Sequence, residues 1–568
     1  MKKLVLLVAT ISSFVSTNAQ TPFADYLDIN NIKAGFMANG YLYNFEAPKG
    51  SNLQTIFANN IWIGGIDAGS TLKIAGQTYM QTGTDFWSGP LSIMGTTDST
   101  TMANYNQVWK ISKCDIDTYV SWYNAGATGV NPTNATAMNT ITNWPSLNPS
   151  GGPLAPYADI NGNGIYDPYA GDYPLIKGDQ AIFFVFNDKG GVHGETAGAA
   201  IGLEIQGMAY AYSCTSDSAL YNTIFVNYKI INKSSSTLYS TYLGNWSDMD
   251  IGSASDDFVG CDVTRGAYYC YNGDLIDDNP PAGQLPYGAN PPAQAVVFLE
   301  GPNADPNGFD DASTSTPNGT GYGDGVSDNE KLGMSKFLYY NNDFSATGNP
   351  TTSIEYYNYM DGSWKDATPW TYGGTGHLTG VVTDYIFPGA SDPLGFGTGM
   401  VPQAPWDETT SGNVPADRRG IGAYGPFTFQ PGAVEDITFA YVFGRATSGG
   451  NLASVTVMQE RIDSVRQKFT NGIVGCGCIS MTGITDLSND NSLSIYPNPA
   501  NDNITINFTS TSKNVSVKIY DATGRLVKNI ANVKAGETSI SISELESGLY
   551  LLNLQDGNNS TTKRFIKQ

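Results

Sequence analysis

Residues 425–443, Gly-Pro-Phe-Thr-Phe-Gln-Pro-Gly-Ala-Val-Glu-Asp-Ile-Thr-Phe-Ala-Tyr-Val-Phe, hold two apolar stretches joined at Gln430-Pro431-Gly432. The second stretch, 437–443, is short, uninterrupted and rich in aromatic and β-branched side chains, the pattern of a strand in the core of a sheet. With a turn before it, the whole segment is expected to form a terminal sandwich hairpin. The same signature recurs at 181–186 (Ala-Ile-Phe-Phe-Val-Phe), 223–231 and 295–299. Composition agrees, because 64 Gly, 34 Tyr and only 14% charged residues suit strands and turns. One helix interrupts the pattern: Val455, Met458, Ile462, Val465 and Phe469 recur at spacings of three and four, and Gly472 is placed to end it. That stripe is expected to face the core. The fold class is therefore all-β, a large β-sandwich-type body with long loops and one amphipathic helix.

Outward from this core, the N-terminus reads as an export signal. Lys2 and Lys3 precede an apolar stretch, 4–15, too short to span a bilayer, and Thr17-Asn18-Ala19 offers small residues to a signal peptidase. Cleavage is expected between Ala19 and Gln20, and no other segment has the length of a membrane helix. The remaining chain is divided into a β-rich region at 20–150, a body at 151–480, a Thr-, Ser-, Asn- and Asp-rich linker at 481–492 and a C-terminal module at 493–568. The Asn-, Pro- and Thr-rich segment 128–156 reads as a long loop or connection.

Net charge is −23, and residues 20–492 alone carry 19 Lys+Arg against 46 Asp+Glu. A surface that acidic repels nucleic-acid phosphates and anionic lipid, so neither is an expected partner. Bound divalent cations would relieve the repulsion. Six cysteines in an oxidising compartment favour disulfides, and Cys261 with Cys270, on either side of a potential hairpin turn, is the best pair. Cys476-Gly477-Cys478 is too tight for an internal bridge.

The sharpest local chemistry is Asp159-Ile160-Asn161-Gly162-Asn163-Gly164-Ile165-Tyr166-Asp167. Oxygen side chains at positions 1, 3, 5 and 9, with Gly at 6, match the start of an EF-hand-type calcium loop, in which the Ile165 carbonyl is the position-7 ligand. Position 12 is Ala170, so Asp172 is the residue that could close the shell. A structural Ca2+ and a plain Asx-rich turn both fit this stretch. Asp248, Asp250, Asp256, Asp257 and Asp262 form a second, weaker candidate, since clustered carboxylates repel unless a cation or donors intervene. The acids in 305–311 and 324–330 read as loops.

From Leu493 the pattern becomes alternating: Ile504, Ile506, Phe508, then Val515, Val517, Ile519, then Ile540, Ile542, then Tyr550, Leu552, Leu554. Period two with frequent turns predicts a small immunoglobulin-like sandwich. The motifs Tyr496-Pro497-Asn498-Pro499, Gly524-Arg525, Gly548-Leu549-Tyr550 and the basic end Lys563-Arg564-Phe565-Ile566-Lys567 resemble the type A sorting domain of the type IX secretion system of Bacteroidota. This resemblance implies the type IX machinery and its sortase-like protease as partners. It also implies passage to the outer-membrane surface or the extracellular space. In the body, 60–65 and 85–90 resemble segments of uncharacterised secreted proteins of the same bacterial group, a resemblance that brings no activity.

No catalytic constellation stands out. His193 and His377 each sit alone among glycines, and no Gly-x-Ser-x-Gly elbow is present. Trp62, Trp87, Trp364, Trp370 and Trp406 would suit sugar stacking or core filling equally. Two readings remain: a non-catalytic binding or adhesion protein with structural calcium, directed at polysaccharide or surface glycan, and a secreted polysaccharide-acting hydrolase that needs only two carboxylates.

Overall fold

The computed structural model describes residues 23–79, 83–281, 283–378, 380–477, 493–508, 510, 515–521, 525–556 and 559–568. The expected cleavage site at Ala19 and Gln20, the linker and Gly524 lie outside them. The chain forms two compact units, Met1–Cys478 and Ile479–Gln568.

Two antiparallel sheets build the larger unit. In the first the order is Ala24–Leu27, Lys33–Met37, Leu42–Glu46, Gln54–Asp67, Leu238–Asp248, Arg418–Phe429, Lys336–Asn341, with Leu72–Gly76 also paired to Gln54–Asp67. The second runs Asp257–Asp262, Ala267–Asn272, Ala293–Glu300, Val434–Gly444, Thr223–Asn232, Leu203–Ala211, Gln180–Asn187, Trp87–Ser88, and Trp109–Ser112 joins it at Gln180–Asn187. Strands from both sides of residue 150 thus share each sheet.

The continuous apolar runs follow from burial on both faces. Ile182, Phe184 and Phe186 enter the core shared with the first sheet, while Ala181, Phe183 and Val185 enter a second core on the opposite face. Ile437, Phe439, Tyr441 and Phe443 face the shared core, and Ala440 and Val442 the other. A strand with solvent on one side would alternate instead.

The helix Gly450–Asn471 covers this outer face at Val434–Gly444 and Ala293–Glu300, while Trp109 and Trp144 pack on Phe183. Val455, Met458, Ile462 and Val465 are buried in the second core, Phe469 packs at its edge, and Gly472 ends the helix at φ +81°. Burying a side chain of that size contributes roughly 1.5–3 kcal/mol. Segment 128–156 is more ordered than expected. It contains the helix Ala135–Thr142, capped by Asn134, and Trp144 Nε1 donates to the Pro156 carbonyl at 2.9 Å.

The 425–443 segment is an arch, not a hairpin. Ala433 N–H donates to the Gln430 carbonyl at 3.1 Å, and Gly432 takes φ +76°, which closes the turn. Arg418–Phe429 nevertheless lies in the first sheet and Val434–Gly444 in the second. Asn232, at the neighbouring crossing between the sheets, fixes the arch: its side-chain amide donates to the Phe429 carbonyl at 3.1 Å, and its own carbonyl accepts from Gly432 at 2.7 Å.

The cysteine pairing also differs from expectation. Asp257–Asp262 and Ala267–Asn272 do form a hairpin, but Cys261 stands opposite Tyr268, and Cys270 opposite Val259. The two thiols are therefore diagonal on one face, a separation of about 7–8 Å that no disulfide spans. Both are free and buried. Cys214 bonds Cys476 instead, at a sequence separation of 262, and Cys114 is also disulfide-bonded.

In the smaller unit, a sheet of Leu493–Tyr496, Asn503–Phe508 and Gly536–Ser541 faces one of Leu526–Ile530, Val515–Asp521, Gly548–Asp556 and Asn559–Lys567. Ile504, Ile506, Phe508, Val515, Val517, Ile519, Ile540, Ile542, Tyr550, Leu552 and Leu554 fill the core between them.

Candidate functional site

The loop 159–172 turns on itself through side-chain oxygens. Asp159 Oδ1 accepts from the amides of Gly162 (2.8 Å) and Asn163 (3.2 Å), and its Oδ2 from Gly164 (2.7 Å). Asn161 and Asn163 each accept from the amide two residues on, at 3.0 and 2.7 Å. Asp167 caps the short 3-10 turn Pro168–Ala170 by accepting from Tyr169 at 2.9 Å. Asp172 is fully buried, with Oδ1 accepting from Ile160 and Oδ2 from Asp167, both at 2.8 Å. It ties the two ends of the loop together through these two amides. Ile165 is exposed.

The second acidic group is assembled differently. Asp248 ends the Leu238–Asp248 strand directly opposite Arg419, and Asp250 follows in the next turn. Among the described residues, one set of three acidic side chains brings carboxylate oxygens within 4.8 Å of one another: Asp248, Asp250 and Asp417. Asp248 is 2% exposed and Asp250 7%. Asp248 Oδ2 accepts from Tyr79 Oη at 2.6 Å and pairs with Arg419 Nη2 at 3.2 Å, while its Oδ1 is buried with no partner. Arg419 also donates from Nε to Tyr79 Oη at 2.7 Å and pairs with Asp417. Asp250 accepts from Gln284 at 3.2 Å.

One guanidinium thus faces three carboxylates, and the excess negative charge is confined in a poorly solvated place. Burial, reinforced by Asp417 and opposed by Arg419, pushes the Asp248 carboxyl up to about 6. Burial together with Asp248 and Asp417 pushes Asp250 well above the usual carboxylate range.

The other sequence candidates spread outward. Asp257 is fully buried; it accepts from the Ile251 amide at 2.9 Å, its second oxygen has no partner, and burial first and Asp250 among its neighbours raise its carboxyl. Burial first and Asp274 among its neighbours raise the Asp256 carboxyl, and one of its oxygens is buried with no partner. Asp262 is apart from the group, in a pair with Arg265 at 2.8 Å and accepting from Gln459 at 3.1 Å. Asp417, Arg419 and Tyr79 were invisible as partners in the sequence, since nothing local marks them and strand pairing alone brings them to Asp248. The acidic loops at 305–311 and 324–330 tie to each other, with Asp310 accepting from Gly323 and Gly325 at 2.7 Å. His193 is buried with its ring nitrogens 2.8 Å from the carbonyls of Ile74 and Asp188, and His377 lies beside Asp366 at 2.9 Å.

In the smaller unit the motif residues meet at the final strand. Asn498 Oδ1 accepts from the Ile566 amide at 2.9 Å, its Nδ2 donates to the Arg564 carbonyl at 3.4 Å, and Ala500 N–H donates to Ile566 O at 2.8 Å. Pro497 and Pro499 flank that clamp. Tyr496 Oη donates to Glu537 at 2.8 Å, and Tyr550, in the strand that begins at Gly548, stacks on Phe565 with centroids 5.6 Å apart. Arg525 folds back on Asp521, 2.9 Å from Nε. Residues 494–568 match the family model described as the secretion system C-terminal sorting domain.

This unit is a type IX secretion sorting domain. The sorting domain marks the protein as a cargo of the type IX machinery in a Bacteroidota setting, sent to the cell surface or the extracellular space. No helix among the described residues is long and apolar enough to cross a membrane. No curated protein matches the sequence. Among the solved structures similar to parts of it are the following two. A DUF3244 family protein with an immunoglobulin-like β-sandwich fold from Bacteroides vulgatus is 20% identical at TM-score 0.12, covering 14% of this chain and 85% of that one. A polysaccharide lyase is 7% identical at TM-score 0.18, covering 64% of this chain and 34% of that one.

Proposed function

We propose that the body, once exported, is a non-catalytic binding or adhesion protein for polysaccharide or cell-surface glycan, with Ca2+ bracing its fold. The observation that carries this reading is the burial of Asp248 and Asp250 beneath Arg419 and Tyr79. Carboxylates at such depth have no room to meet a sugar ring, but the unpartnered Oδ1 of Asp248 is a hard oxygen of the kind calcium takes. The loop with Asp159, Asn161, Asn163, the Ile165 carbonyl, Asp167 and Asp172 is the second proposed position, because its oxygens are already curled around a tight turn. The sorting domain is proposed to be removed at the cell surface by the sortase-like protease, leaving the body attached or released.

A glycan array on the exported protein, with and without EGTA, tests the reading together with thermal melts. At ~1 mM calcium and a dissociation constant of ~0.1 mM, occupancy of one site adds about 1.4 kcal/mol. EGTA is expected to lower the melting temperature and weaken glycan retention. Turnover of any glycan on the array would overturn the non-catalytic reading, and identical melts in calcium and EGTA would overturn the brace.

A further inference from the structure

A pocket of about 470 Å³ lies where the first sheet's loops, at Asn31, meet the ends of three second-sheet strands. Asn222 precedes Thr223–Asn232, Asn290 precedes Ala293–Glu300, Phe443 and Arg445 come at the end of Val434–Gly444, and the helix Gly450–Asn471 adds Arg461. The volume is in the range of small-molecule sites.

Its charge runs against the rest of the chain. In a protein of net charge −23, two guanidiniums line one pocket, and every hydrogen bond they make among the described residues goes to a backbone carbonyl. Arg445 donates to the carbonyls of Asn290 (2.9 Å), Tyr287 (3.0 Å) and Ala289 (3.2 Å), and lies over the Tyr287 ring at 5.1 Å. Arg461 donates from Nη1 to the Phe443 carbonyl, and its Nε is buried without a partner. Burial with no carboxylate to offset it pulls the Arg461 guanidinium below its usual range. A buried charge left uncompensated is costly unless an anion reaches it. Beside the two arginines, Asn31 Nδ2 donates to Asn222 Oδ1 at 2.8 Å, which fixes an amide pair with further donor and acceptor capacity toward hydroxyl groups.

We propose that this pocket binds a carboxylate-bearing sugar of the hexuronate class, its carboxylate on Arg445 and Arg461 and its hydroxyls on the asparagine amides. Guanidinium forks match a carboxylate in plane and geometry, and amides match hydroxyls without adding charge. The inference names a ligand class for the binding function above and rests on that reading only in taking the ligand to be a sugar. Isothermal titration of the exported protein with galacturonate, galactose and inorganic sulfate tests it, using Arg461→Gln and Arg445→Gln. Galacturonate is expected to bind saturably, to weaken as salt is raised, and to lose about tenfold to hundredfold affinity in each variant, with galactose much weaker. Far-UV circular dichroism checks that each variant folds; should Arg461→Gln not fold, Arg445→Gln decides. The proposal fails if galactose binds as well as galacturonate, if sulfate binds and galacturonate does not, or if neither substitution changes the affinity. Retention of neutral glycans alone on the array breaks this inference and leaves the binding function standing, whereas retention of none breaks both.

Discussion

The two acidic places in the body make a useful contrast. In the 159–172 loop the oxygens belong to one short stretch of chain, are exposed or half-buried apart from those of Asp172, and nearly all are occupied by amides of the same loop. In the Asp248 group the oxygens meet at the ends of two paired strands, Asp248 and Asp250 buried and Asp417 half-buried, and one carboxylate oxygen is left with nothing to accept. The first arrangement is tied by its own amides and depends on turn geometry. The second holds together only because a single arginine sits among repelling charges, so its stability should depend strongly on what else is nearby.

The hardest test of that contrast is Arg419→Met. Removing the one cation among Asp248, Asp250 and Asp417 should cost about 3–5 kcal/mol in urea unfolding, and added calcium should recover part of the loss. A loss below about 1 kcal/mol would mean that the carboxylates are neutral without help and that the contrast is wrong. Next in size is a pH effect. The folded Asp248 carboxyl, at about 6, lies above its ordinary 3.8, so the native state holds the proton more tightly. Stability from this group is full below pH about 4 and is lost as pH rises toward 6, by about 3 kcal/mol at roughly 1.4 kcal/mol per pH unit. Asp248→Asn should remove that slope, seen as a difference between variant and parent melts in EGTA from pH 4 to 7. Calcium should flatten the parent's slope by favouring the charged form. The smallest effect belongs to the loop: Asp172→Ala leaves the amides of Ile160 and Asp167 without acceptors and should cost about 1–3 kcal/mol in urea unfolding. A loop variant that costs more than Arg419→Met would reverse the comparison.

Much of the architecture was readable in the chain, and the exceptions have physical causes. The runs at 181–186 and 437–443 announced strands because a run apolar at every position suits a sheet covered on both faces, and the stripe from Val455 to Phe469 announced the helix that covers one of them. The turn at Gln430-Pro431-Gly432 was legible as a turn, but which sheet the next strand enters is decided by packing, so an arch looked like a hairpin. For Cys261 and Cys270 the hairpin was legible and the register was not; a shift of two residues separates a disulfide from two buried thiols. Spacing also exposed the 159–167 loop, since its chemistry is local. The clustering of Asp248, Asp250, Asp256, Asp257 and Asp262 drew attention to that stretch without the partners of Asp248, because Asp417, Arg419 and Tyr79 reach it only through the fold. The pocket at Arg445 and Arg461 left no trace in any motif, being made of single residues from separate segments.

The Cys214–Cys476 bond has a consequence for the life of the protein after export. Cys476 is nearly the last residue of the larger unit, and a covalent link there anchors the C-terminal helix at its free side. A proteolytic cut between Cys476 and the sorting domain would sever the address label from a parcel whose end is covalently fastened.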